Sequence, residues 1–347
     1  MSEPRRVVLI SIVLLSVSFV ARTKASDDAS VTGPKNFIFF ERQRQRIAEP
    51  AFLENDQIAG AQLKYTWREL EPERDRYELR PLLDDLAFLK RHGKQLFVQL
   101  QDVSFSEEVL VPDYLRTDPD FRGGAARKYE YEGGHKSKVQ FDGWVARRWD
   151  PTVRGRFIKL LNALGEEVDG RIEGLVLPET SVGFEERGKR HPTGFTYEAY
   201  VLGVKMIMTG ARKAFPRSCV IQYANFMPGE WLPWTDHGYL RAIYAHAESI
   251  GVGVGGPDLL PHRKGQQNHS YPLIAARSPK IPAGVAVQDG NLEDRDPTTG
   301  KRVTAAELYG FAKDRLRLDY IFWGTQEPYY SQEIVPYIRS LGRSDMR

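Results

Sequence analysis

The sequence predicts an α/β fold, a single (β/α)8 TIM barrel with enlarged loops at the C-terminal face of its strands, and three observations carry that expectation. Eight short runs are rich in β-branched and aromatic residues. Helical segments separate most of them. The chain has 347 residues, of which 41% are hydrophobic, enough material for one large core. Strand followed by helix, repeated towards eight, is the pattern that closes into a barrel. The rival is an open doubly wound sheet, which prefers a Gly-rich phosphate loop after its first strand; Phe39-Phe-Glu-Arg-Gln-Arg supplies none.

In order, the expected strands are 36–41, 58–65, 95–101, 172–177, 219–223, 249–255, 283–288 and 319–323. Between them, 80–93 has leucines at helical spacing, a proline near its start and Gly93 placed for a left-handed cap; 151–165 follows the same plan. Segments 197–213, 238–248, 304–316 and 331–341 continue the alternation. The run Gly251-Val-Gly-Val-Gly-Gly-Pro257 reads as a strand whose small residues permit close packing, because Pro257 and Asp258 interrupt any phosphate-loop helix start. The stretch from Asp102 to the fourth strand is too long and too rich in Gly, charge and aromatics for an ordinary connection. As an excursion on the C-terminal face it would build a wall of a cleft, with 261–279 and 290–301 crowding the same rim.

Arg5-Arg6, a short apolar run and small residues up to Ala25 read as a secretory signal; left uncut, the segment would serve as a membrane anchor. The expected organisation is a signal peptide at 1–25, a disordered linker at 26–35, the barrel at 36–341 and a tail at 342–347. The mature chain is expected to be secreted or periplasmic and to lack a transmembrane domain. With 49 basic and 46 acidic residues, no one-signed field favours nucleic acid. Cys219 is the single cysteine, so an intrachain disulfide and a cysteine metal cluster are excluded, and its apolar run makes it a buried structural thiol. The seven histidines form no His-Glu-x-x-His pattern, and His262 and His269 fall on a polar loop. Oxygen ligands gather at Asp289, Asn291, Glu293, Asp294 and Asp296, but without the glycine and terminal Glu of a calcium loop. No cofactor or metal is expected.

The strand ends carry acids, amides and aromatics: Glu41, Lys64, Trp67, Gln99, Gln101 with Asp102, Glu179, Gln222 with Asn225, Asp258, Gln288 with Asp289, and Trp323 with Glu327. Each alone reads as a cap or loop anchor. Together at one barrel mouth they would face a common cleft. That mixture suits a carbohydrate partner, whose hydroxyls meet amides and carboxylates while Trp67, Trp231, Trp234 or Trp323 stacks on its C–H face. The balanced charge favours a neutral saccharide. Glycosidic cleavage needs two carboxyl groups, and Glu179, stiffened by Pro178, is the first choice for the acid.

The segment Ile58-Ala-Gly-Ala-Gln-Leu-Lys-Tyr-Thr-Trp-Arg-Glu-Leu-Glu-Pro-Glu-Arg-Asp-Arg-Tyr-Glu-Leu resembles the second-strand region of (β/α)8 glycoside hydrolases of the large retaining clan A. Of the phrase W-x-x-L-E-P-x-x-G-x-Y-D-F, Trp67, Leu70, Glu71, Pro72 and Tyr77 match; Asp75 replaces Gly, and Glu78-Leu79 replace Asp-Phe. Asp319-Tyr-Ile-Phe-Trp323 is similar to the eighth strand whose tryptophan floors the sugar site. The resemblance implies that Glu179, at the end of strand four, is the acid/base. The clan places Asn before that Glu, where this chain has Pro178, and a nucleophilic Glu at the end of strand seven, where this chain has Gln288 followed by Asp289. A glutamine cannot attack as a carboxylate.

Three outcomes remain open at this point. Glu179 works with Asp289; or it works with Asp102, Asp258 or Glu327; or the chain is a non-hydrolytic saccharide-binding barrel, since a fold does not guarantee its usual chemistry.

Overall fold

A computed structural model of the protein describes residues 33–131, 139–184 and 189–344. The expected signal segment, the linker up to residue 32 and residues 345–347 of the tail lie outside the described residues. Among the described residues no helix is long and apolar enough to cross a membrane.

Among the described residues there are ten strands: β1 (Lys35–Glu41), β2 (Ile58–Thr66), β3 (Gln95–Gln101), β4 (Ala125–Tyr131), β5 (Val139–Ala146), β6 (Gly174–Leu177), β7 (Cys219–Tyr223), β8 (Gly253–Gly256), β9 (Ala283–Val287) and β10 (Tyr320–Trp323). Eight of them, β1-β2-β3-β6-β7-β8-β9-β10, form a closed parallel barrel, with β10 pairing back onto β1 and Lys35 opposite Tyr320. All eight overlap the runs marked in the sequence.

Alternation along each strand separates two apolar layers. Phe37, Phe39, Phe97, Val176, Ile221, Tyr223, Ala286 and Phe322 pack inside the barrel. Their neighbours Ile38, Phe40, Val98, Leu175, Leu177, Val220, Val285, Val287, Ile321 and Trp323 face the helices. The Phe97 ring packs edge-on against Phe37 at 5.0 Å and against Tyr320 and Phe322 at 4.9 Å, so aromatics fill the lower barrel. Room for them comes from glycines on adjacent strands. A Cβ on Gly174 would overlap the Phe97 ring, and one on Gly255 would overlap the Gly284 carbonyl. The glycine run is therefore a packing device, as its sequence context suggested.

The outer layer includes helices Arg80–Arg91, Pro151–Val168, Tyr197–Ala214 and Tyr239–Ile250. Asp150 opens the second by accepting from the Thr152 backbone N–H at 2.9 Å. Two boundaries differ from expectation. Residues 249–250 complete the helix that begins at Tyr239, Gly251 takes the left-handed cap at φ 70, and β8 starts only at Gly253. The last two helical segments contain π turns at Phe311–Arg315 and Tyr330–Ile334.

The long excursion after β3 holds an antiparallel hairpin, β4 with β5. A bridge between Val103 and Val145 joins it to the end of β3, and Ser104 donates its backbone N–H to Trp144 O at 2.8 Å. The Trp67–Glu71 phrase after β2 serves this junction. The buried Glu71 carboxylate accepts from Trp67 Nε1 at 2.8 Å and Tyr114 Oη at 3.0 Å and pairs with buried Arg156. Trp67, Leu70 and Glu71 thus fasten the end of β2 to the excursion and to the helix that follows it.

Candidate active site

A cavity of about 390 Å3 lies at the C-terminal ends of the barrel strands, bounded among others by Lys64, Gln99, Gln101, Phe105, Glu179, Tyr223, Asn225, Phe226, Asp258 and Gln288. Parity places most of these groups. Gln99 and Gln101 share the inward side of β3 with Phe97, and Tyr223 shares that of β7 with Ile221. Lys64 sits on β2 with its Nζ 3.4 Å from Glu41 Oε1 and 4.8 Å from the Phe39 ring centre.

Glu179 leaves β6 one residue after Pro178, and its backbone is held from two directions. Arg148 Nη1 donates to Glu179 O at 2.6 Å and to Tyr200 Oη at 2.9 Å. Tyr200 Oη in turn donates to Thr180 O at 3.0 Å, and the Thr180 N–H donates to Tyr223 O at 3.0 Å. The Arg148 charge is met by Asp102, which accepts from Nε at 2.8 Å and from Nη2. Asp102 is 2% exposed, so its carboxylate is committed to this buried pair behind the cavity.

Among the described residues that line the cavity, Glu179 and Asp258 are the acids. Burial pushes the Glu179 carboxyl above its ordinary range; the amide of Asn225 opposes this, the Asp258 charge adds to it, and Lys128 and Arg148 oppose it. Asn225 Nδ2 donates to Glu179 Oε2 at 2.7 Å. Burial likewise pushes Asp258 upward, against the Asn291 Nδ2 donor at 3.0 Å. Between their strands stands Tyr223, fully buried, whose hydroxyl accepts from Gln62 Nε2 at 3.2 Å. Burial thus favours the protonated form of each acid, and a neutral amide donor opposes it without a full charge.

The cavity also has unmet hydrogen-bonding capacity. Gln99 and Asn225 are 7% and 5% exposed, and Gln99 Oε1 and Asn225 Oδ1 have no hydrogen-bond partner among the described residues. Because Asn225 turns its NH2 to a carboxylate, its oxygen is fixed away from Glu179. Buried acceptors of this kind are costly unless something donates to them.

Other sequence-selected residues lie elsewhere. Trp67 is 1% exposed and packs on Phe157 at 4.9 Å between centroids. Trp323 occupies an outward position of β10 and donates Nε1 to Asn36 Oδ1 at 2.9 Å, so it does not floor the cavity. Gln222 has outward parity on β7 and donates to Pro178 O at 2.7 Å. Glu327 is exposed and accepts from Ser331 Oγ at 2.6 Å. Asp289 is exposed beside Gln288, with burial first and then Glu41 raising its carboxyl and Lys64 lowering it. Glu41 is exposed at the end of β1 with a left-handed φ of 54. Trp231 stands exposed at the rim, stacked on Phe226.

The oxygen-rich segment is occupied by its own contacts: Asp294 pairs with Arg263 at 3.0 Å, Asp296 accepts from the Thr298 N–H at 2.8 Å, and Asn291 serves Asp258. Among the described residues no three His, Cys, Asp or Glu side chains gather to hold an ion. Cys219 lies at the opening residue of β7, away from the mouth, and burial pushes its thiol up to about 12.

The sequence reading missed Tyr223, Phe105, Phe226 and the Arg148 anchor. Counting parity from Ile221 selects Tyr223 over Gln222. No local pattern marks Arg148, whose role depends on Asp102 and Tyr200, distant in sequence.

No family model matches the chain, and no curated protein matches it. Solved structures do. The catalytic domain of a β-amylase from Paenibacillus polymyxa is 7% identical, with 84% of this chain and 93% of that one covered and a TM-score of 0.53. Xylanase 10B from Thermotoga petrophila RKU-1, in complex with xylobiose, is 11% identical, with 90% and 95% covered and a TM-score of 0.51. At such identities the likeness is one of fold: the chain has, in divergent form, the closed (β/α)8 barrel of these glycoside hydrolases.

Proposed function

We propose that this protein is a glycoside hydrolase acting on a neutral oligo- or polysaccharide, with Glu179 as general acid and Asp258 as the second carboxylate. The observation that carries the reading is the pair itself: two acids at the ends of β6 and β8 face one amide-lined cavity, each raised by burial and neither in a direct ion pair among the described residues. Glu179 protonates the leaving glycosidic oxygen. Asp258 stabilises or attacks the anomeric carbon, directly or through water. Gln99 Oε1 and Asn225 Oδ1 accept from sugar hydroxyls, which supplies the donors they otherwise lack. Transport out of the cytoplasm through the segment 1–25 belongs to the same proposal, since polymeric glycans are met there.

The test is release of reducing ends from a panel of plant and bacterial polysaccharides, with Glu179→Gln as the control. Release by the wild type and its loss in the variant supports hydrolysis; equal release from both refutes the assignment of Glu179. A second reading, saccharide binding without cleavage, rests on Gln288, the amide at the end of the strand-seven position. It expects retention of a glycan with no reducing ends above a heat-treated control.

The pH profile tests the acid separately. Asn225 Nδ2 favours the charged form of Glu179. In Asn225→Ala the carboxyl holds its proton to higher pH, so the alkaline limb of kcat/KM is expected to move upward. A downward shift contradicts the assignment.

A further inference from the structure

We infer that the cavity is the middle of a longer groove, that a saccharide chain crosses it from the β3 side to the β7 side, and that the enzyme cleaves internal linkages. This rests on the proposed hydrolase reading and assigns the direction and length of its substrate.

Because β3, β6 and β7 are consecutive around the barrel, the loops after them stand side by side at the mouth. Each contributes one element to the cavity: Phe105 after β3, Glu179 after β6 and Phe226 after β7. The acid is therefore flanked by an aromatic face on either hand. On the β7 side the aromatic surface extends outward to Trp231, whose ring stacks on Phe226 with 9° between the ring planes and 5.8 Å between centroids. Phe105 is 62% exposed and Trp231 53%.

These exposed rings are held rigidly. Trp231 is fixed by reciprocal backbone hydrogen bonds with Thr235 at 2.9 Å. His269, 1% exposed, packs on both Phe226 and Trp231, and its Nε2 accepts from the Leu232 N–H at 2.8 Å. Thr180 Oγ1 donates to Phe226 O at 2.7 Å, tying the platform to the residue after Glu179. Opposite, Lys128 Nζ lies 3.5 Å from the Phe105 ring centre while it donates to Ser104 O at 3.1 Å, and Gly143 of β5 packs directly against the Ser104–Phe105 backbone. A stiff, half-exposed apolar plane loses little entropy when it receives a ligand. The C–H face of a pyranose is the ligand whose hydroxyl edge also suits the amides of this cavity. With a sugar on each side of Glu179, the bond presented to the acid lies inside the chain.

The experiment compares a hexasaccharide with a disaccharide of the same linkage and follows product lengths from the polymer. In Trp231→Ala and in Phe105→Ala the ratio of kcat/KM for hexasaccharide over disaccharide is expected to fall about five- to tenfold. Leu202→Ala, which truncates an exposed apolar side chain on the outer helix Tyr197–Ala214, leaves the ratio unchanged. Wild-type products are expected to span several lengths from the start of the reaction. Release of a single short product from chain ends, or an unchanged ratio in both aromatic variants, overturns the inference while the hydrolase reading stands. If no glycan is cleaved, the hydrolase reading falls instead. The groove is then judged by retardation of the wild type in gels containing soluble xylan, glucomannan or mixed-linkage β-glucan. Retardation lost in Trp231→Ala supports it; no retardation, or equal retardation, overturns it.

Discussion

Glu179→Gln is expected to lower kcat on an unactivated glycan about a thousandfold, the middle of the usual contribution of a positioned general acid. The substitution is nearly isosteric. Its amide oxygen can still accept from Asn225 Nδ2, which donates to the carboxylate at 2.7 Å in the wild type. Since the native carboxyl is already pushed towards its neutral form by burial, a neutral amide in its place keeps the fold intact. The loss should therefore be chemical, not structural, and unfolding by heat or urea should be little changed. Leaving-group chemistry gives the sharper reading. A nitrophenyl glycoside departs without protonation, so Glu179→Gln should retain much more activity on it than on the natural linkage. Asp258→Asn, which removes the group acting at carbon, should fail on both. Equal losses on both substrates in Glu179→Gln would remove Glu179 from the role of acid.

Asp102→Asn is expected to destabilise the protein by about 3 to 5 kcal/mol, the usual cost of removing one partner from a buried ion pair. Arg148 would remain buried with its positive charge uncompensated while still serving Glu179 O at 2.6 Å and Tyr200 Oη at 2.9 Å. Urea unfolding followed by tryptophan fluorescence measures the change, and a loss under 1 kcal/mol would show that the pair is dispensable. Where the variant folds, activity should also fall, because the loop bearing Glu179 hangs on that guanidinium. Neutralising both partners, as in Asp102→Leu with Arg148→Met, should cost less than Asp102→Asn alone if the uncompensated charge is the main penalty.

The strands were legible because each carries its own signal. Short β-branched and aromatic runs, separated by segments of helical period, identify all eight barrel strands without reference to one another. The glycines of β8 were legible for a similar reason, since Pro257 and Asp258 rule out the competing helix start. Glu179 was legible as a carboxyl at the cavity because it follows a strand that ends at a proline. Even the boundary that moved, at 249–252, moved by local rules: an apolar helix face runs on to Ile250, and Gly251 caps it.

What the sequence did not disclose is which way each polar group turns and what it meets. Trp67 and Trp323 have the right chemistry for a sugar platform, but register sends both into the layer between barrel and helices. Gln222 and Tyr223 are adjacent in sequence and one residue of parity separates a structural amide from the cavity floor. Asp102, Asp258, Asp289 and Glu327 look interchangeable as partners of Glu179. Closure of the barrel distinguishes them, burying Asp102 against Arg148, leaving Glu327 and Asp289 exposed, and bringing Asp258 to the cavity that Glu179 faces. By itself the sequence determined the barrel and the place of Glu179 at a strand exit, because strand propensity, helical period and chain breaks are local properties. The tertiary structure alone decided which carboxyl shares a cavity with Glu179 and which aromatics stand at its rim, because those depend on distances between residues that only closure of the sheet brings together.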